Sequence, residues 1–319
     1  MASLTALLNT TTPFPESRPL GYDVFGKGMF RPFYYSGTFI VPSGVTSVRA
    51  RVVGGGGGSN TSVDSTSPGG GGGGGGFAMG IIEVTPGQSI TVTVGGAGSC
   101  SSNPSAGGTS SFGAFLTATG GSPGTVAVDN APGGVGGTGS GGDFTASGGS
   151  GGAGIIMSGT SEGGGGGGAA GSPLGDGGNG GDVQSNYGGG GGGVGGNHAN
   201  GLRRNGPYGI KSGSTIVINI LSPDPLGTAV DGVSVYSPRF PFDMFTGNPS
   251  GAGGTAGSNQ TNYTLVDGGD GGGGGGMYYT DNDTSLTYTG DAGIGGGSGA
   301  DASTKDGSLA GPGIVVVEW

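Results

Sequence analysis

The residues able to do chemistry are few, and their scarcity is informative. His198 is the only histidine and Cys100 the only cysteine. A structural zinc site needs four Cys/His-type ligands, so one chain cannot build one here. An intrachain disulfide is excluded on the same count. A Ser-His-Asp triad would have to use His198, which sits in Gly196-Asn197-His198-Ala199-Asn200, a polar loop context whose default is a surface histidine. Glycoside hydrolysis needs two carboxylates at a defined separation. Sixteen of the twenty acidic residues are Asp, mostly beside Gly, Asn or Ser, so they read as turn chemistry and no pair stands out. Asp301 and Asp306-Gly307 do not supply enough aligned ligands for calcium. No helix-forming segment follows any glycine run, so neither a dinucleotide fold nor a P-loop is present. The reading is a non-enzyme with no metal and no cofactor.

Aromatic and polar residues set between glycine runs are better placed for recognition. Tyr278 and Tyr279 follow the run 271–276 directly, with Asp281, Asn282 and Asp283 next and Tyr288 after them. Tyr187 precedes the run 188–193, and Asn197, His198 and Asn200 follow it. Arg203, Arg204 and Tyr208 come next. Aromatic faces beside amides and carboxylates suit carbohydrate or a loop of another protein. The competing reading of each is packing at the edge of a glycine-built domain. A second group lies near the start: seven of the 23 aromatics fall in residues 1–35, which marks that stretch as different from the rest. Phe25, Phe30, Phe33, Tyr34 and Tyr35 are its docking candidates. An N-terminal flap packed on its own domain explains them as well.

Something must hold these residues, and the composition restricts what. Glycine supplies 90 of 319 residues and only 9% are charged. Each interior glycine costs about 0.8–1 kcal/mol in a helix, so a helical protein is excluded. Collagen needs glycine at every third position, whereas this chain has solid runs such as 69–76. Disordered segments are usually charge-rich, and this chain is not. The net charge is −10, and phosphate-neutralising Lys/Arg clusters are missing, so nucleic acid is not an expected partner.

Short strands are legible. In Val48-Arg49-Ala50-Arg51-Val52 small and apolar residues alternate with arginine. Phe39 and Val41 precede it across a Pro42-Ser43-Gly44 turn. Ile82 and Val84 run into Pro86-Gly87, which suits a type II turn, and Ile90, Val92 and Val94 then alternate. This reads as a hairpin. Phe112, Phe115 and Leu116 mark another strand, Ile216, Ile218 and Ile220 another, and Ile314 to Glu318 a buried one. Residues 202–247 regain ordinary composition, with Tyr236, Phe240, Phe242 and Phe245 in a Pro-rich stretch.

Five uninterrupted glycine runs stand at 54–58, 69–76, 163–168, 188–193 and 271–276. Similar lengths recurring at intervals argue against flexible linkers. Polyproline-II-type geometry has three residues per turn and no internal hydrogen bonds, so its N–H and C=O groups point outward. Helices of this kind packed side by side can bond to one another, and only glycine permits that approach. The fold class is therefore mainly β and irregular: a short antiparallel β scaffold plus bundled polyglycine type II helices, with essentially no α-helix. Residues 1–35 form an attachment segment and 36–319 the glycine-rich domain. Within that domain, 36–119 and 313–319 are the β part. Residues 120–312 are the polyglycine bundle, with 202–247 inserted.

The string from Ser36 through Phe39-Ile40-Val41-Pro42-Ser43-Gly44 and Val48-Arg49-Ala50-Arg51-Val52-Val53 to the glycines 54–58 resembles the opening of the glycine-rich domain of bacteriophage tail fibres. The pattern continues in Val84-Thr85-Pro86-Gly87-Gln88-Ser89-Ile90-Thr91-Val92-Thr93-Val94, in Gly107-Gly108-Thr109-Ser110-Ser111-Phe112-Gly113, and in the close Gly311 to Trp319. The resemblance covers roughly 36–120 and 311–319. It implies a virion receptor-binding adhesin that displays variable loops on layers of polyglycine type II helices. Its partners would be other tail or baseplate proteins, reached through residues 1–35, and a host surface glycan or outer-membrane protein. A homotrimer is a candidate assembly. Such a protein is made in the bacterial cytoplasm and ends in the virion. Residues 1–8 lack the basic region of a secretory signal, and no run of 18 apolar residues exists to span a membrane. The alternatives are a purely structural fibre, spike or head-decoration component, a surface depolymerase, and an ice-binding protein.

Overall fold

The computed structural model describes residues 29–60, 68–127, 130–158, 161–173, 175–183, 189, 191–193, 271–276, 278–280, 291–300 and 309–319. Among the described residues there is no α-helix, and no helix is long and apolar enough to cross a membrane. The strands are β1 (Phe30–Phe33), β2 (Gly37–Ile40), β3 (Ser47–Val53), β4 (Phe77–Glu83) and β5 (Ser89–Thr93). They continue with β6 (Ser110–Phe112), β7 (Leu116–Ala118), β8 (Asn130–Ala131), β9 (Gly139–Ser140) and β10 (Phe144–Ala146). The last are β11 (Gly154–Ser158), β12 (Ser161–Gly163), β13 (Tyr278–Thr280) and β14 (Ile314–Glu318).

Two five-stranded antiparallel sheets, ordered β1-β14-β3-β4-β10 and β2-β5-β6-β7-β9, form a sandwich. Alternation of side chains decides what lies between them. Val48, Ala50 and Val52 of β3, with Val315 and Val317 of β14, meet Phe39, Ile90, Val92, Phe112 and Leu116 of the second sheet. Phe39 packs on Phe112 at 6.0 Å and on Trp319 at 5.4 Å between ring centroids. Fully burying each such Val, Leu or Phe side chain stabilises by about 1.5–3 kcal/mol.

The Pro86-Gly87 turn forms as its sequence requires: the Gln88 N–H donates to Thr85 O at 2.9 Å and Gly87 has φ 81°. The expected hairpin does not form around it. β4 pairs with β3 and β10, whereas β5 pairs with β2 and β6. The turn carries the chain from one sheet to the other, as does the Pro42-Ser43-Gly44 turn between β2 and β3. Both flanking strands need one face in the same core, and facing each other across it serves that better than pairing. The expected strand over Phe112 to Leu116 is instead two strands, β6 and β7, turned at Gly113. The strand expected over Ile216 to Ile220 lies outside the described residues. Val315 and Val317 of β14 face the sandwich, while Ile314 and Val316 join Val53, Phe77, Ala146 and Ala170 on the sheet's other face.

The strands do not stop where side chains give out. The β3–β4 register sets Val53 opposite Phe77. Carried on, it sets Gly54 opposite Gly76 and Gly57 opposite Gly73, and those N–H groups donate to those carbonyls at 3.0 and 2.8 Å. The β14–β3 register continues likewise into Gly56 N–H to Gly311 O at 2.8 Å. Each ladder keeps its register while its period changes from two to three.

The run 69–76 shows why the period becomes three. Gly70, Gly73 and Gly76 donate to the Thr125, Ser122 and Thr119 carbonyls. Gly71 and Gly74 donate to Gly152 and Gly149, and Gly72 and Gly75 donate to Ser298 and Gly295. Its carbonyls accept from three further runs: from Gly54 and Gly57, from Gly134 and Gly137, and from Gly165, Gly168 and Gly171. These are outward-pointing groups of a three-residue-per-turn helix, each bonded to a different neighbour. Runs 54–58 and 163–171 are surrounded in the same way. A Cβ on Gly74 would lie 1.9 Å from Ala169 O, and one on Gly71 2.1 Å from Gly166 O.

The outer runs follow a different rule: X-Gly-Gly, with X facing solvent and Pro123 replacing one glycine in the triplet 122–124. Thr119, Ser122 and Thr125 mark one run, and Pro132, Val135 and Thr138 the next, all exposed. Asp176, Asn179 and Asp182 mark a third. Their Oδ1 atoms accept the N–H groups of Ser147 (2.8 Å), Ser150 (2.8 Å) and Ala153 (2.9 Å). Gly177, Gly180 and Val183 donate back to the carbonyls of the same three residues. The sequence reading assigns Asp beside glycine to turns. At Asp176 and Asp182 the side chain instead completes the lattice, replacing the carbonyl that a further helix would offer.

The packing generates a sharp contrast between two glycines. Gly74→Ala should destabilise by about 3 kcal/mol, the upper end of ordinary overpacking, because the obstacle is backbone on every side. Gly96 has no atom within 4 Å of its Cβ position and has no left-handed φ. Gly96→Ala should be neutral or stabilising by about 0.4–1 kcal/mol, through a less flexible unfolded chain. Urea denaturation of the two variants measures both.

Candidate functional site

The molecule has two ends, and chain direction identifies them. β3 leads into 54–60 and the run 69–76 leads back into β4, so residues 60 and 69 lie far from the sandwich. A third sheet, β13-β12-β11-β8, caps that distal end. β11 follows the run 147–153, β12 precedes 163–171 and β13 follows 271–276. Again the ladders continue: the β11–β12 register runs on as Gly152 N–H to Gly166 O, and β12–β13 as Gly167 N–H to Gly274 O.

Tyr278 and Tyr279 form the backbone of β13, opposite Gly163 and Glu162. Both candidates therefore lie on the outermost strand of the distal sheet. The segment holding Tyr187 begins and ends on described residues at the same end, Val183 and Gly189. The segment holding His198, Arg203, Arg204 and Tyr208 leaves from Gly193 and returns at Gly271. Gly193 O accepts from Gly178, and Gly271 O from Ala170, both toward the sandwich. Tyr187, His198, Arg203, Arg204, Tyr208, Asp281 and Tyr288 themselves lie outside the described residues, as does Phe25.

A distal loop that the sequence reading did not single out is ordered by its own polar groups. It spans 99–105 and is clamped at its neck. The Ser99 N–H donates to Ser105 Oγ at 2.8 Å and the Ser105 N–H to Ser99 O at 3.2 Å. Asn60, at the end of its glycine run, donates from Nδ2 to Ser102 O at 3.1 Å. The Asn103 N–H donates to Ser101 Oγ at 3.2 Å. Ser102 and Asn103 are exposed. The available signal was the Ser/Asn/Pro cluster interrupting glycine between Gly98 and Gly107. Among the described residues, no group of three His, Cys, Asp or Glu side chains is arranged to hold a metal ion.

The opposite end holds Met29 and Trp319 together, with the Trp319 N–H donating to Met29 O at 3.1 Å. The N-terminal aromatics divide. Phe30 lies half-buried on the edge strand β1. Phe33 is 6% exposed inside the sandwich core, with the Arg31 guanidinium 4.6 Å from its ring centroid. Tyr34 and Tyr35 are 49% and 85% exposed, on the flank where sandwich meets bundle.

A family model described as a glycine-rich domain matches residues 34–319. The chain belongs to the glycine-rich domain family. The match runs from Tyr34 through the sandwich and bundle to the final strand. Comparison with curated proteins returns no match. Membership in the glycine-rich domain family agrees with the architecture and names no ligand.

The two N-terminal aromatic classes should separate experimentally. Phe33→Ala should cost about 3 kcal/mol or more of stability, as for other buried Phe truncations. Tyr35→Ala should stay within about 0.5 kcal/mol. Thermal unfolding of the two variants checks both.

Proposed function

We propose that this protein is a bacteriophage tail-fibre or tail-tip adhesin. It recognises the host cell surface through loops displayed at the distal end of a polyglycine scaffold. The observation that carries this reading is the separation of the two ends. Residues preceding Met29 join at the sandwich end, while β13 and the polar loop 99–105 lie at the other. Seven strand residues and the run 54–60 separate them by on the order of 45 Å. Loops on a rigid scaffold are where recognition usually resides.

The distal chemistry supports a glycan or an outer-membrane protein loop as the ligand. Ser102 and Asn103 offer short hydrogen-bonding groups on a loop already ordered, which lowers the entropy lost on binding. Tyr278 and Tyr279 place two tyrosines on the edge strand of the sheet at the same end. Tyrosine anchors give large contact area for little entropy. Residues before Met29 then face the virion, and the protein resides at the exterior of the particle.

The exposed pair Tyr34-Tyr35 favours one second reading, a structural fibre or decoration component that contacts a neighbouring virion chain by its flank. Competition separates the two. Purified protein added to host cells should block infection if it binds the receptor and leave infection unchanged if it is only structural. Replacing both Tyr278 and Tyr279 by alanine should lower host adsorption by on the order of tenfold, the effect of losing one modest hot spot. The thermal transition should remain. Normal adsorption by the folded double variant would remove these residues from the site.

A further inference from the structure

We propose that the β1–β14 pair is a mechanical clamp, which carries load between the segment preceding Met29 and the polyglycine bundle. The inference rests on the attachment reading above for where load is applied, and on strand geometry for how it is resisted.

β1 is an edge strand whose sheet partner is β14, with Phe30 opposite Glu318 and Phe33 opposite Val315. Trp319 bonds Met29 directly across the same register. Antiparallel partners alternate between pairs that exchange hydrogen bonds and pairs that do not. Met29/Trp319, Arg31/Val317 and Phe33/Val315 are therefore the bonding pairs. Pro32 falls opposite Val316, a non-bonding pair, so its missing N–H costs the ladder nothing. Phe33 locks the inner end of β1 into the core beside Val315.

β14 in turn is anchored on three sides. It pairs along its length with β3. Glu318 accepts from both Arg49 and Arg51 of β3, the Arg51 contact being 2.6 Å. The preceding residues enter the bundle, where Gly313 donates to Gly95 and Gly311 accepts from Gly56, both at 2.8 Å.

Direction decides the mechanical consequence. The outer end of β1 is Met29, at the base; the anchored end of β14 is Ile314, at the bundle. Pulling the base away from the distal end draws the two strands past each other. Every bonding pair then resists together. Pulling Met29 away from Trp319 instead opens the pairs one at a time from the same end.

Single-molecule force spectroscopy on the full chain tests this with two attachments. One tethers the N-terminus and Cys100, the only cysteine, which lies in the distal loop 99–105. The other tethers the N-terminus and the C-terminus. The first rupture should need several-fold more force in the Cys100 geometry. Phe33→Ala should lower that force and leave the terminal geometry little changed. Equal forces in the two geometries of the unaltered protein would overturn the clamp, whether or not Phe33→Ala folds. No receptor enters this measurement. Loss of the recognition reading with unequal forces, or the reverse, therefore identifies which proposal failed.

Discussion

Everything in this fold follows from one constraint: a buried backbone amide or carbonyl must be bonded. An ordinary domain meets it inside helices and sheets and uses side chains to bring those elements together. Here the enclosed runs carry almost no side chains, the methyls of Ala169 and Ala170 being exceptions, and their backbone groups bond directly to neighbouring runs. The distances leave no room for a Cβ at Gly71 to Gly75, where the nearest carbonyl oxygens would stand 1.9–2.2 Å away. Each such bond adds about 1 kcal/mol net, and an orphaned buried group costs 1–3 kcal/mol. The lattice is therefore cooperative: displacing one run orphans groups on its neighbours.

A lattice of this kind needs something to set its registers, because glycine has no side chain with which to distinguish one neighbour from another. The sandwich does this at one end. Val48, Ala50, Val52, Val315 and Val317 must face the sandwich, so a one-residue slip of β3 or β14 would turn the whole set to the sheet's other face and bring Arg49, Arg51 and Glu318 into the core. Each register fixed among apolar residues is inherited by the glycine runs beyond. The distal sheet holds the far ends of four of those runs. The side chains are few, and they sit where alignment is decided.

The sequence made some of this legible. Alternation located β3, a continuous apolar run located β14, and Pro86-Gly87 located a type II turn. The solid runs at 54–58, 69–76 and 163–168 marked what became the enclosed helices. A period of two says which residues share a face but not which sheet a strand joins, so the β4–β5 hairpin was a wrong inference from a correct turn. The triplets Asp176-Gly177-Gly178-Asn179-Gly180-Gly181-Asp182 and Pro132-Gly133-Gly134-Val135-Gly136-Gly137-Thr138 already carried the outer-face phase. Reading Asp-Gly as turn chemistry concealed it. Aromatic density in residues 1–35 could not separate Phe33, which is core, from Tyr35, which is exposed. At the distal end, the candidates Tyr278 and Tyr279 were marked by position after a glycine run. The loop 99–105 was not, because hydroxyl and amide clusters look alike whether they are ordered or not.

Continuity of register from strand into glycine run has a consequence for how such a molecule changes over time. An enclosed run keeps its three faces aimed at the same neighbours only if its length changes by whole turns, about 9 Å each. Insertion of one or two residues would rotate every later amide away from its acceptor. The bundle therefore behaves as a ruler graduated in triplets. Loops such as 99–105 begin and end on fixed rungs of that ruler and lie outside its count. Their length and composition can diverge freely while the distance between the two ends of the molecule stays fixed.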